Sequence, residues 1–409
     1  MLNYVAFYGL ARILSGLLLY LSFVAALYGL DKQQYQYFSV SYPMYQIIAM
    51  ICFGWITGIM PSLFSGVTPE MRHRAEQQVV RAYGWMIVTA IILLSTVYAT
   101  GGIEIPLFLV VVLTGLVIIA SAGDGVLVLI NAQERHRSYL FVSLIRYGAA
   151  LILMLAVFLM PSLGAAGALG ALALGAAFSI AAWWRQRERY AGETHRVHLR
   201  EIGSLLAIGL PAMVAFSVYQ LSMSASRLII AQGCSLATAA TLGGVNDLLT
   251  GPLLMIFQVI NMAFNPKLYA AANQGNLAAL RKVAFTVIGV QLAVIVPTSL
   301  FLLVAGKPVG ALLLSDRLGP QASAILPYVG LATLLSVSLN TSIGVALARK
   351  KAGMMAFFGL AVIAAALALA FFRGCDLVGF TRGFTLLMAI SGCTGLALIY
   401  GLTRPLPAD

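Results

Sequence analysis

Charge is what this chain of 409 residues has least of: Asp, Glu, Lys and Arg make up 9% of it, hydrophobic residues 61%, and the mean hydropathy is +0.95. A soluble domain is about 25% charged, so a water-soluble globular fold is excluded. Histidine is scarce too. All four (His73, His136, His195, His198) fall in polar turns between apolar runs, and no Asp-x-Asp occurs. A membrane enzyme such as a polysaccharide polymerase, ligase or acyltransferase needs a positioned general acid or base, which this poverty argues against. No Gly-x-x-x-x-Gly-Lys-Ser/Thr loop is present and the polar turns are too short for an ATPase domain, so nucleotide hydrolysis is not expected. The four cysteines (Cys52, Cys234, Cys375, Cys393) lack Cys-x-x-Cys spacing, signal neither a disulfide framework nor a zinc site, and are expected to be small apolar filler. His195 and His198 stand in a basic run without a third ligand, so no metal is expected, and no cofactor is called for.

What is present is a series of apolar runs, each of a length that crosses a hydrocarbon core about 30 Å thick. They lie near residues 2–30, 37–64, 79–100, 105–131, 139–160, 163–184, 203–231, 238–265, 279–304, 321–348, 353–372 and 380–402. The expected fold class is therefore all-α, a polytopic membrane protein of about twelve transmembrane helices. The first run is too long for the apolar region of a signal peptide and reads as a retained span. Pro43, Pro211, Pro252, Pro297 and Pro327 interrupt runs but are tolerated where neighbouring groups satisfy the freed backbone.

The basic residues are unevenly placed. With the N-terminus in the cytoplasm, sixteen of the 25 fall in cytoplasmic turns and the tail, five (Lys32, Lys307, Arg317, Arg373, Arg382) in outer turns, and four (Arg12, Arg81, Arg146, Arg227) in or at the start of spans. The positive-inside rule then places both termini in the cytoplasm. The net charge of +12 is read as this topology signal together with attraction to anionic membrane lipids, and no nucleic-acid partner is expected.

The longest cytoplasmic linker, 185–202, divides the chain into bundles 1–184 and 203–409 with six spans each. The halves begin alike, Gly9-Leu10-Ala11 against Gly209-Leu210-Pro211, with Pro61-Ser62-Leu63 and Pro266-Lys267-Leu268 at the ends of the second helices. Six spans being an even number, the halves would share one orientation about a pseudo-two-fold axis along the membrane normal, a geometry of alternating-access transporters.

Five ionised residues lie inside apolar runs: Arg12, Arg146, Arg227, Asp124 and Asp247. Burying each costs at least about 2.5–3.5 kcal/mol, so each needs a partner or a water-filled cavity. Asp124 and Arg146 stand symmetrically about a turn near Arg135, so an antiparallel pair of helices brings them to one depth, on the order of 10 Å in. Arg227 and Asp247 do the same about the turn at Leu236 and Ala237. The pairs either staple helices or line a cavity where the arginines, with planar forks, hold phosphate oxygens and the aspartates couple or gate. Arg12 has no such counterpart in its own half and is the leading candidate for a mobile anion. Gln220, Asn246, Asn261, Gln291 and Asn340 also fall within spans. Helix-to-helix hydrogen bonding is the commoner role there, with sugar contact the alternative, above all for Gln220, Asn246 and Asn340.

The stretch Ser224 to Ala270 resembles the seventh and eighth helices of Wzx-type polysaccharide flippases of the multidrug/oligosaccharidyl-lipid/polysaccharide exporter superfamily. Arg227, Gly233, Gly243 and the Asn261–Pro266 segment fit that family's pattern, while Ser226 replaces its Asp. Gly9 to Gly16, reading GLARILSG, resembles the family's start. The resemblance implies transfer of an undecaprenyl-diphosphate-linked oligosaccharide across a bacterial inner membrane, for capsule, O-antigen, lipopolysaccharide or exopolysaccharide assembly, with glycosyltransferases and a polysaccharide polymerase as partners. The alternative is a multidrug or small-solute antiporter of the same superfamily, driven by H+ or Na+ through Asp124 or Asp247. Three intramembrane arginines against two aspartates favour an anionic substrate.

Overall fold

The structure, a computed structural model, describes residues 2–56, 59, 69–100, 105–133, 135–186, 199–349 and 351–403. Among these no strand occurs. The helices are α1 (Leu2–Gly29), α2 (Lys32–Ala49), α3 (Pro69–Ala99), α4 (Leu107–Ala132), α5 (His136–Leu159), α6 (Gly164–Gln186), α7 (Leu199–Phe216), α8 (Val218–Gly233), α9 (Leu236–Asn273), α10 (Leu277–Leu318), α11 (Pro320–Ala348), α12 (Ala352–Arg373) and α13 (Leu377–Thr403). The all-α membrane fold read from the sequence is the fold observed. Large apolar side chains point outward along the spans: Leu312 is 83% exposed and Phe372 78%. In water such a surface would aggregate, whereas lipid tails cover it.

Among the described residues ten helices are long and apolar enough to cross a membrane, or eleven when a bent pair is one span. That pair is α7 and α8, bent by 72°, which together occupy the expected seventh run. The break falls at Ser217, six residues after Pro211. The second expected run holds α2, whose first turns are polar, followed by a π-helical turn at Met50–Gly54. Such one-turn insertions widen the helix and let it bend. Several bounds differ from the sequence reading. α3 begins ten residues before the run at 79, and α10 continues to Leu318, so the outer turn expected after 304, with Lys307 and Arg317, is helix. Helix is the cheapest way to satisfy backbone polar groups near a bilayer, and Pro308 does not end it.

The chain forms two compact units, one of Ala6–Met213 and one of Val214–Asp409 with Met1–Val5. The division falls within α7. Most of the basic linker (187–198, with His195 and His198) and the Pro61–Leu63 end of the proposed repeat lie outside the described residues.

In the first unit, α6 is a run of Gly and Ala that lets backbones approach closely. A Cβ on Gly175 would stand 2.5 Å from the Arg146 carbonyl oxygen and 2.8 Å from Ala150 Cβ. Gly175→Val should therefore push α5 from α6 and cost about 1–3 kcal/mol, read as a lower melting temperature of the purified protein. An unchanged melting temperature would mean that this seam is not close-packed. In the second unit α11 is the most enclosed span, set among α9, α10 and α13. One seam ends where Thr241 of α9 donates its hydroxyl to the Leu318 carbonyl oxygen at 2.9 Å, satisfying an end of α10.

Two cysteines correct the sequence reading. Cys234 and Cys375 form a disulfide across 141 residues of chain, and only Cys52 and Cys393 are free. Scattered spacing hid the bond because the antiparallel helices between them return the chain to the same end of the unit.

Candidate functional site

In the first unit the expected pair between α4 and α5 is present: Arg146 Nη1 lies 2.9 Å from Asp124 Oδ1. The partners differ in setting, the arginine side chain being 8% exposed and the aspartate 45%. Arg146 Nη2 also donates to the Ala120 carbonyl oxygen at 3.4 Å, and the guanidinium lies 5.3 Å from the centre of the Tyr147 ring. From α2, Tyr45 donates its hydroxyl to Asp124 Oδ2 at 3.5 Å. From α3, Tyr83 donates to the Ser121 carbonyl oxygen at 3.1 Å and stacks on Phe53 at 5.1 Å. The backbone makes room for this: a Cβ on Gly125 would collide with the Tyr83 hydroxyl, and one on Gly123 would stand a tight 3.2 Å from Arg146 Nη1.

Arg12, on α1, lies with its guanidinium 5.4 Å from the centre of the Tyr139 ring, and its buried Nε has no hydrogen-bond partner among the described residues. Tyr139 is itself within electrostatic reach of Arg12, Arg146, Asp124 and Tyr147. Tyr139, Ser143 and Arg146 follow one face of α5 at helical spacing and are all buried. Arg146 is seven residues beyond Tyr139, a rise of about 10 Å. The structure therefore gathers Arg12, Arg146 and Asp124 along one tyrosine-lined strip, with two positive charges against one negative. A cation–π contact leaves a guanidinium's in-plane donors available, so Arg12 holds hydrogen-bonding capacity toward an anion.

The second pair is also present but differently built. Arg227 Nη1 and Nη2 donate to Asp247 Oδ1 and Oδ2 at 2.9 and 3.2 Å. The Arg227 side chain is 0% exposed and that of Asp247 6%. Around them Asn246 Nδ2 donates to Asp247 Oδ1 at 3.2 Å, while Asn246 Oδ1 accepts from Tyr219 at 3.0 Å and Thr250 at 3.0 Å. Tyr219 in turn lies 2.7 Å from Thr333 Oγ1 of α11. These bonds form a buried network across α8, α9 and α11. In this conformation the Arg227 fork is occupied by a carboxylate and Asn246 by protein groups. A diphosphate at Arg227, or a sugar at Asn246, would first have to displace them.

The remaining expected polar residues divide similarly. Gln291 bridges helices, donating to Asn261 Oδ1 at 3.1 Å and accepting from Thr341 at 3.1 Å, so these are helix glue. Gln220 is half-buried and donates to Ser224 of its own helix at 3.4 Å, and Asn340 is half-buried on α11. Tyr45, Tyr83 and Tyr139 were not singled out from the sequence. Tyr139 carried a signal, its i, i+7 spacing to Arg146, whereas Tyr45 and Tyr83 reach the site through tertiary packing alone.

No protein-family model and no curated protein matches the chain by sequence. Solved structures do resemble it. The outward-facing conformation of a multidrug resistance MATE family transporter of the MOP superfamily aligns with a TM-score of 0.67 at 15% identity, over 98% of this chain and 96% of that one. The inward-facing conformation of such a transporter gives 0.63 at 14% identity, over 96% and 98%. The lipid II flippase MurJ, in an inward closed conformation, gives 0.65 at 13% identity, over 100% of this chain and 88% of that one. At these identities the likeness is one of fold: the chain has the multi-pass helical architecture that these transporters and this flippase share.

Proposed function

We propose that the chain is a flippase that moves an undecaprenyl-diphosphate-linked oligosaccharide from the cytoplasmic to the periplasmic leaflet of a bacterial inner membrane by alternating access, for cell-surface polysaccharide assembly. The observation that carries this reading is Arg12, a cation held beside Tyr139 with a buried donor unmatched among the described residues, on the same strip as Arg146. A diphosphate offers several charged acceptors, and an arginine fork in a partly dehydrated site recognises them well.

With the N-terminus in the cytoplasm, Arg12 is the shallower contact and Arg146 the deeper. The head group meets Arg12 first and then competes with Asp124 for Arg146, which frees the aspartate. Being 45% exposed where Asp247 is 6%, Asp124 is the better placed of the two carboxylates to take up a coupling H+ or Na+. Arg227 and Asp247 serve as the staple that holds α8 to α9. The tail stays in lipid, and a polymerase in the same membrane consumes the product outside.

The test is reconstitution in liposomes holding a fluorescent undecaprenyl-diphosphate oligosaccharide, with leaflet distribution followed in time. Faster exchange with protein than without supports the flippase. Static lipid together with ion-coupled efflux of a soluble dye would overturn it in favour of the antiporter, whose fold the MATE likeness fits as well.

A further inference from the structure

The disulfide joins two turns built alike. Between α8 and α9 the chain reads Gly233-Cys234-Ser235-Leu236, and between α12 and α13 it reads Gly374-Cys375-Asp376-Leu377. In each, the cysteine follows a glycine at the end of one helix and precedes the N-cap of the next: Ser235 Oγ accepts from the Thr238 amide and Asp376 Oδ1 from the Gly379 amide, both at 3.0 Å. Helices α9 to α12 lie between the cysteines, an even number, so both turns emerge on one face as the bond requires, with their Cα atoms 5.5 Å apart. Disulfides persist in oxidising compartments and are reduced in the cytosol. The uneven basic residues place these same two turns on the side away from the cytoplasm.

Along the helices the seam continues. A Cβ on Gly374 would stand 2.6 Å from Ile230 Cγ1, one on Gly359 2.7 Å from Val218 Cγ2, and Ser226 donates to the Ala366 carbonyl oxygen at 3.5 Å. Arg227 sits seven residues before Cys234, about 10 Å along α8, and is tied there to α9 through Asp247. α8 is thus bonded covalently to the α12 turn at its end and ionically to α9 midway.

We propose that Cys234 and Cys375 are the substrate of a disulfide-donating thiol oxidant on the extracytoplasmic face, and that the bond is a permanent clamp holding the outer ends of α8 and α12 together throughout transport. Cys375 is exposed and Cys234 half-buried, so Cys375 reacts first. Its thiolate attacks one sulfur of the donor disulfide, and the donor's other sulfur leaves as a thiolate. The Cys234 thiolate then displaces the donor from Cys375, closing the protein disulfide. Two electrons pass to the donor, which leaves as a dithiol carrying the two protons.

The clamp rests on the orientation proposed above but on no substrate, so its test is separate from the lipid assay. Full-length protein in intact cells is treated from outside with a membrane-impermeant maleimide, with or without a membrane-impermeant phosphine reductant, and labelled cysteines are located by mass spectrometry. Labelling of Cys234 and Cys375 only after reductant is expected. Labelling of either without reductant, or of neither after it, would overturn the bond or its placement. The variant Cys234→Ser/Cys375→Ser should melt several degrees lower, since a cross-link closing so long a loop constrains the unfolded chain, yet transport solute or lipid at the wild-type rate while folded. A several-fold change in rate would show that these ends must be free to move or that the bond acts in the cycle, overturning the static clamp.

Discussion

Arg12→Ala should slow lipid transfer in liposomes about ten- to hundredfold, the equivalent of losing one charge-assisted hydrogen bond of about 1.5–3 kcal/mol, while the melting temperature stays near that of the wild type. Two observations set this combination. Arg12 is not ion-paired to any described residue, so its removal strands no buried carboxylate, and the lost contact with Tyr139 is a single cation–π interaction of about 1–2 kcal/mol. Arg12→Lys should fall between, because it keeps the charge and loses the planar fork. Wild-type rates in Arg12→Ala would remove this residue from the binding site. Arg146 is not an equally clean probe, since its loss leaves Asp124 without its ion partner.

The opposite pattern is expected of the second pair. Arg227→Ala or Asp247→Ala removes one side of a fully enclosed two-point contact and leaves the other charge where water cannot reach it. Breaking such a pair costs about 3–5 kcal/mol, so each single variant should express poorly and melt roughly 10 °C lower. Replacing both residues by Leu removes both charges together and should recover most of that loss, because apolar pairs of similar volume often replace buried ion pairs without penalty. Melting curves of the three variants check this. If the double variant is as unstable as the singles, the pair is more than a staple. If it is stable but transports nothing, the charges take part in the cycle.

Much of this was legible in the residues alone. Lack of charge and the length of the apolar runs determined an all-helical membrane protein, because only helices satisfy every backbone group within a single span. Both intramembrane ion pairs followed from counting outward from a turn, since the rise per residue of antiparallel helices is fixed and equal distances from the turn mean equal depth. Which pair is open and which is sealed did not follow. Asp124 is half exposed and Asp247 enclosed because of what Tyr45, Tyr219, Thr250 and Thr333 place around them, and those arrive from other helices. The partnership of Arg12 with Tyr139 spans a gap in sequence that no helical period bridges.

The disulfide shows the same division. The matching Gly-Cys-cap-Leu turns could be read from the sequence, but that the two meet is a property of four intervening helices returning the chain to one face. Bounds behaved likewise: α10 runs on to Leu318 through Pro308 because tertiary packing and the bilayer both favour continued helix over the turn that local polarity suggested. Composition and spacing determined the solvent, the helical secondary structure and the level at which each ion pair meets along its two helices, all of which depend on the chain's local geometry. Tertiary structure decided which charges are quenched, which are left available and which cysteines join, because each depends on groups brought together from distant helices.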